Sequence, residues 1–384
     1  MPAGILVSPE DLAWSRSRIE AGDPEAVEAL EQLLKLADEY MRAPVRPITA
    51  GKEDGKRVAP SGDPRDYVSL SPYWWPDPNS PNGEPYYRRD GEVNPERHEY
   101  DTPKLDALGK SVRTLGFAYA FTSDERYAER ALEHVRAWFV DPETRMKPRM
   151  KYAQFVPGVA SGRRVGIIDT NRLRWVPDAL IILSSSDAWT ERDTRETKRW
   201  FEEYEHWLMT SDLGQEERAS ENNHGTWFAA QVALYSIYAG DHETALEVIR
   251  EIPQRIDAQI EPDGSQPHEA VRTQALHYHD FNLRGLLDLA VYADAVGYDL
   301  AGYESEDGRS IRVAIDYVVP YLIDEKPWPY QQIVPRKHYM YYQHLRRAAK
   351  LYDDPRYEAA VQALPPLEPS HSWIELLLPP VHES

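Results

Sequence analysis

Apolar residues recur at three- and four-residue spacing along most of the chain, and alternation with period two is almost absent. Ser8–Met41 reads as two helices. Ser8-Pro9-Glu10-Asp11 has the form of an N-cap followed by a first-turn proline and acids, and Val27, Leu30, Leu33, Leu34 and Ala37 mark a second run over Pro24–Tyr40. Thr102–Phe121 follows, with Thr102 as N-cap and Leu105, Leu108, Val112, Leu115 and Tyr119 on period. Ser123–Phe139 carries Tyr127, Ala131, Val135 and Trp138, and pairs with it as an antiparallel hairpin. Further helices are expected over Asn171–Ser186, Thr190–Ser211, Asp241–Ile260, the later part of Gln266–Gly297, Arg309–Ile323, Lys337–Leu351 and Pro355–Ala363. The tail SWIELLLPP reads as a short strand or edge segment.

Two stretches break the pattern. Tyr67–Tyr100 is dense in Pro, Gly and aromatics, yet Tyr73, Trp74, Trp75, Tyr86 and Tyr87 are too many large rings to leave loose. An ordered cleft wall is expected there, with Arg88 and Arg89 available to anions. Asp141–Thr170 is also irregular and holds Arg145, Lys147, Arg149, Lys151, Arg163 and Arg164 with few acids. The fold class expected is all-α, an α/α toroid or incomplete α/α barrel. It forms one domain over 1–384, with cleft-forming loops at about 43–101 and 141–170. A plain bundle or a repeat solenoid is the competing architecture, although no repeat of fixed period appears.

The stretch Ser220–Tyr238, SENNHGTWFAAQVALYSIY, sets Asn222, Asn223 and His224 at the start of an aromatic-rich helix. Trp227, Phe228 and Gln231 share the face of His224. A second polar cluster gathers His268, Glu269, Arg272, Gln274, His277, Tyr278, His279 and Asn282, with Arg272 and His279 two helical turns apart. So many polar groups are costly to bury unless they serve each other or a ligand.

Charge and composition narrow the partners. With 64 acidic and 44 basic residues the formal charge is −20, which argues against a general nucleic-acid surface but leaves room for a local basic cleft. There is no cysteine, so neither disulfides nor thiolate chemistry arises. No apolar run approaches a membrane span. Tyr and Trp, at 24 and 11, outnumber the 7 Phe, which suits a wet, stacking groove for sugar rings. His268, His277 and His279 with Glu269 or Asp280 fit no strong zinc spacing. Glu221, Glu269 and Asp263 are candidate glycosidase carboxylates, and a sugar-binding module would need only the aromatic wall.

The reading that uses every piece is β-elimination on a uronic-acid polymer. The C5 proton becomes removable only once the neighbouring carboxylate is neutralised by donors such as Asn, His or Arg. An acid must then protonate the leaving C4 oxygen. One tyrosine can do both when proton and leaving group lie on the same side of the ring, and nearby positive charge such as Arg272 or His224 helps it start as the base.

Three motifs, SLSPYWWPDP at Ser69–Pro78, NNHGTW at Asn222–Trp227 and RTQALHYHDFNL at Arg272–Leu283, together resemble the alginate lyase domain family over roughly residues 67–351. The resemblance implies an α/α toroid acting on mannuronate-rich alginate, or on glucuronan. It implies that Asn223 and His224 neutralise the carboxylate and that Tyr278 is base and acid or shares the base role with His224. Arg272 then stands beside Tyr278 and His277 assists. Asn222, Trp227, Gln231, Tyr73, Trp74, Trp75, Arg88, Arg89, Lys147, Arg149, Arg163 and Arg164 are the expected substrate contacts. The expected partner is an anionic polysaccharide, with no nucleic acid, no membrane span, no metal and no cofactor, on a monomer or weak dimer. A periplasmic or secreted location is expected, with the cytoplasm as the other possibility.

Overall fold

A computed structural model describes residues 4–55 and 57–381. Among them lie sixteen α-helical segments and four short strands. The helices are α1 (Pro9–Glu20), α2 (Pro24–Arg42), α3 (Thr102–Thr122), α4 (Glu125–Val135), α5 (Val176–Leu183), α6 (Glu191–Thr210), α7 (Asp212–Arg218) and α8 (Asn223–Ala239). They continue with α9 (His242–Ile249), α10 (Ile252–Gln259), α11 (Pro267–Ala270), α12 (Ala275–Ala295), α13 (Ile311–Leu322), α14 (His338–Tyr352), α15 (Pro355–Ala363) and α16 (Pro369–Ser372). The strands are β1 (Val68–Leu70), β2 (Trp74–Trp75), β3 (Tyr87–Arg88) and β4 (Tyr152–Phe155).

Local chemistry explains the helix starts. The Asp11 N–H donates to Ser8 Oγ at 3.0 Å, with Pro9 in the first turn of α1. Thr190 and Asp193 form a reciprocal capping box at α6. Two expected caps are displaced by one residue. Asp101, not Thr102, precedes α3, and its carboxylate accepts from the Val68 N–H instead of capping. Asp124 caps α4, while Ser123 takes a left-handed conformation as the C-cap of α3. The expected helix over Asp241–Ile260 is two helices, α9 and α10. The expected tail strand is instead α16 followed by a 3-10 turn over Trp373–Leu376, which buries Trp373, Ile374 and Leu376.

Contacts group the chain into two units. One holds the described residues of 40–220 and 234–241. Here α3 packs on α4 and α5, and rings from Phe139, Trp200, Phe201, Tyr204 and Tyr235 lie 4.8–5.6 Å apart. Its long loops are tied down by buried polar groups. Asp169 accepts from Tyr67 OH, Ser69 Oγ and Gln154 Nε2 at 3.0, 2.7 and 3.0 Å. These bonds sit beside the parallel pairing of β1 with β4. Lys52, itself buried, lies 2.7 Å from Asp101 and donates to the Pro64 and Asp66 carbonyls. That is how irregular backbone of this length is held still.

The other unit holds the described residues of 1–39, 221–233 and 242–384. Its centre is α12, buried along most of its length and packed on α9, α13 and α14. The head of α8 crosses α12 at Gly285, where a Cβ would come within 2.9 Å of Thr226 Cγ2 and 3.4 Å of the Trp227 ring. Only glycine allows that approach without displacement.

Candidate active site

The two motifs that drew most attention in the sequence meet in the second of these units. Asn222 caps α8, its Oδ1 accepting from the His224 N–H at 3.1 Å. Asn223 is fully buried and His224 half-buried. Glu269, 1% exposed, accepts from the Asn223 backbone N–H and from Asn223 Nδ2, both at 2.7 Å. Asn223 Oδ1 is buried with no hydrogen-bond partner among the described residues. Burial pushes the Glu269 carboxyl up; the two Asn223 bonds and the charges of Arg272 and His224 act against it.

Arg272 does not share a helix face with His279. It stands in the turn between α11 and α12, where its N–H donates to the Glu269 carbonyl at 3.2 Å. From there its guanidinium lies over the Tyr278 ring, 3.8 Å from the centroid, and its Nη2 donates to the Tyr278 hydroxyl at 2.8 Å. The turn is braced from outside: Ala275 N–H donates to the Gln331 carbonyl and Ile333 N–H to the Thr273 carbonyl, at 2.9 and 3.0 Å. Asn223, Glu269, Arg272 and Tyr278 therefore form one connected series. A guanidinium aimed at a phenolic oxygen stabilises negative charge there, which is what a phenolate base requires.

His277 meets the edge of Tyr278 at 5.4 Å and stacks on Phe281, which stacks on Trp227. Burial lowers the His277 pKa; Asp280 opposes this, while Arg284, Lys337 and Arg272 reinforce it. Trp227 and Gln231 are buried in the core. Trp227 is 1% exposed and donates to the Phe281 carbonyl, and Gln231 donates to the Trp227 carbonyl. His279 is core as well: Nε2 receives the Gln266 N–H, Nδ1 contacts the Ala275 carbonyl, and burial lowers its pKa to about 4. Among the described residues no group of three or more His, Asp or Glu is arranged to hold a metal.

The remaining candidates lie in the other unit. β2 and β3 pair antiparallel, Trp74 opposite Arg88 and Trp75 opposite Tyr87. Arg89 sits over the Trp75 ring at 4.8 Å and Arg163 over Trp74 at 5.4 Å. Arg89 N–H donates to the Tyr73 carbonyl, which ties the two arms of the loop together. The basic stretch, however, is mostly committed. Lys147 pairs with Asp63 at 2.6 Å, Arg149 grips buried Asp66 with two bonds, and Arg164 pairs with Glu217 at 2.7 Å. Arg163 donates to Ser71 Oγ and the Gln154 carbonyl, and Arg88 and Arg89 pair with Asp90 and Glu92. Their acidic partners come from outside Asp141–Thr170 or from the neighbouring turn, so a charge count over that window overstates the free cations.

The alginate lyase family model matches residues 52–328. The chain belongs to the alginate lyase family. A crystal structure of an alginate lyase from Bacteroides ovatus is 36% identical over 98% of this chain and 99% of that one, with a TM-score of 0.92. Alginate lyase A1-III from Sphingomonas species A1 is 16% identical over 90% of this chain and 94% of its own, with a TM-score of 0.56. A tyrosine-to-phenylalanine variant of A1-III complexed with a tetrasaccharide is 17% identical over 98% and 96%, with a TM-score of 0.61. These two share the fold. No curated protein matches the chain. This alginate lyase family member is an all-α protein of the α/α-toroid class and a carbon–oxygen lyase acting on polysaccharide. No helix among its described residues is long and apolar enough to cross a membrane.

Proposed function

We propose that the enzyme cleaves mannuronate-rich alginate by syn β-elimination, with Tyr278 as base and acid. The observation that carries this is the Arg272–Tyr278 contact, joined through Glu269 to Asn223, with His224 within electrostatic reach of Glu269. In this reading the uronate carboxylate is met by His224 and by the second amide hydrogen of Asn223, which draws charge away from C5. The Tyr278 oxygen, held by Arg272 as a phenolate, takes the C5 proton. The electron pair forms the C4–C5 double bond, the C4–oxygen bond breaks, and the leaving oxygen recovers the proton from Tyr278. No water enters the step. His277, lowered in pKa by burial, stands beside the phenol as a neutral ring.

Mannuronate and glucuronate share configuration at C4 and C5, so both permit one tyrosine to act on one face. Guluronate inverts C5 and does not. The name carried by the 36% identical Bacteroides relative supports alginate over glucuronan. A panel of polymannuronate, polyguluronate, glucuronan and hyaluronan, followed by ultraviolet absorbance of the unsaturated product, tests this. Fastest product formation on polymannuronate is expected. A faster rate on glucuronan would reassign the substrate, and absorbance only from polyguluronate would contradict the syn geometry.

A further inference from the structure

We propose that Glu269 is a positioning residue of this elimination site, setting Asn223 as a hydrogen-bond donor and tying the head of α8 to the turn that carries Arg272. The inference rests on the lyase reading above. Both carboxylate oxygens of Glu269 are taken by one residue, through the backbone N–H and Nδ2 of Asn223. The Glu269 carbonyl in turn receives the Arg272 N–H. One buried side chain and its own peptide thus link the carboxylate-binding motif to the Arg272–Tyr278 pair, across 46 residues of sequence.

The polarity of the bond matters more than its existence. An amide nitrogen has two hydrogens. By accepting one, Glu269 fixes the amide so that nitrogen faces it, and the second hydrogen keeps a set direction while Oδ1 stays buried without a partner. Rotated by half a turn, the same amide would offer an oxygen lone pair along that direction, which repels a uronate carboxylate. An acid in this buried place is costly: burial raises its pKa, and the two Asn223 bonds and the neighbouring Arg272 and His224 act against that rise. A residue kept only for packing would not need two acceptor oxygens aimed at one asparagine.

Glu269→Gln keeps the volume and the acceptor for the backbone N–H, but sets a donor against Asn223 Nδ2. Rotation of the Asn223 amide relieves that clash and turns an acceptor toward the substrate. Glu269→Asp keeps the acceptor polarity with one methylene less. Kinetics of both are compared on the polymer the wild type cleaves fastest. Glu269→Gln is expected to lower kcat by about tenfold or more with KM within about threefold, and Glu269→Asp to retain more activity than Glu269→Gln. A packing role predicts the opposite order, and that order, or wild-type kcat in Glu269→Gln, overturns the assignment. A wild type that cleaves no polymer overturns the lyase reading alone. Thermal unfolding of Asn223→Ala, Glu269→Gln and the double variant then decides the positioning: coupled changes, the double falling no further than the worse single, support it, and additive changes reject it.

Discussion

Tyr278 and Arg272 carry the account at the scale of single residues. The guanidinium both covers the ring and donates to the hydroxyl, a pairing that needs a planar fork. Arg272→Lys keeps the charge but loses the plane, so kcat is expected to fall roughly 10- to 100-fold with little change in unfolding temperature. Steady-state kinetics on the preferred polymer checks this, and unchanged kcat would remove Arg272 from the chemistry. His224→Ala should lose about 100-fold or more in kcat, because in the proposed mechanism it removes a donor to the developing charge. Near-normal turnover there would reject carboxylate neutralisation by His224. The adjacency of Asn223 and His224 and the motif around Tyr278 were legible in the sequence. Glu269 was legible there as a member of the polar cluster around Arg272 but not as the partner of Asn223, because their bond spans 46 positions and leaves no local pattern.

Helices set where those residues stand. The head of α8 and the middle of α12 touch at Gly285, within one unit. Gly285→Ala inserts a methyl group where Thr226 and Trp227 already sit, and is expected to cost about 1–3 kcal/mol. Thermal denaturation measures the cost, and a neutral or stabilising effect would show the crossing to be looser than described. Periodicity located most helices well, since apolar spacing acts over a few residues. It placed Arg272 wrongly on the same helix as His279, because Pro267–Ala270 forms a separate turn and α12 begins only at Ala275. The caps at α3 and α4 slipped by one position for a similar reason. Asp101 and Asp124 compete with neighbouring Thr and Ser, and Asp101 is claimed by Val68 and Lys52 from beyond the helix and by Lys104 from its first turn.

The molecule as a whole carries a charge of −20, yet among its described residues His134, His277 and His279 are buried where protonation is opposed. Burial lowers His134 and His279 from about 6.5 to about 4, with Arg130 adding to the effect on His134. Between those values the unfolded chain binds more protons than the folded one, so stability falls as pH drops through that window. Each contributes up to about 3 kcal/mol to the loss. His134→Gln is expected to lose less stability than the wild type between pH 7 and 4 in denaturant titrations, and equal losses would refute the buried-neutral assignment. The all-α class was legible from period alone, while the toroid was read from the long loops between helix pairs and from the family resemblance. The commitment of Lys147, Arg149 and Arg164 to Asp63, Asp66 and Glu217 was not, since those acids lie 84, 83 and 53 residues away.

The enzymatic proposal stands or falls with the phenol of Tyr278. Wild type and Tyr278→Phe, matched in unfolding temperature, should be assayed side by side for the unsaturated product on polymannuronate, with polymer binding followed in parallel. The expected result is product from the wild type and none from the variant at comparable binding. Product from Tyr278→Phe at the wild-type rate would contradict the mechanism.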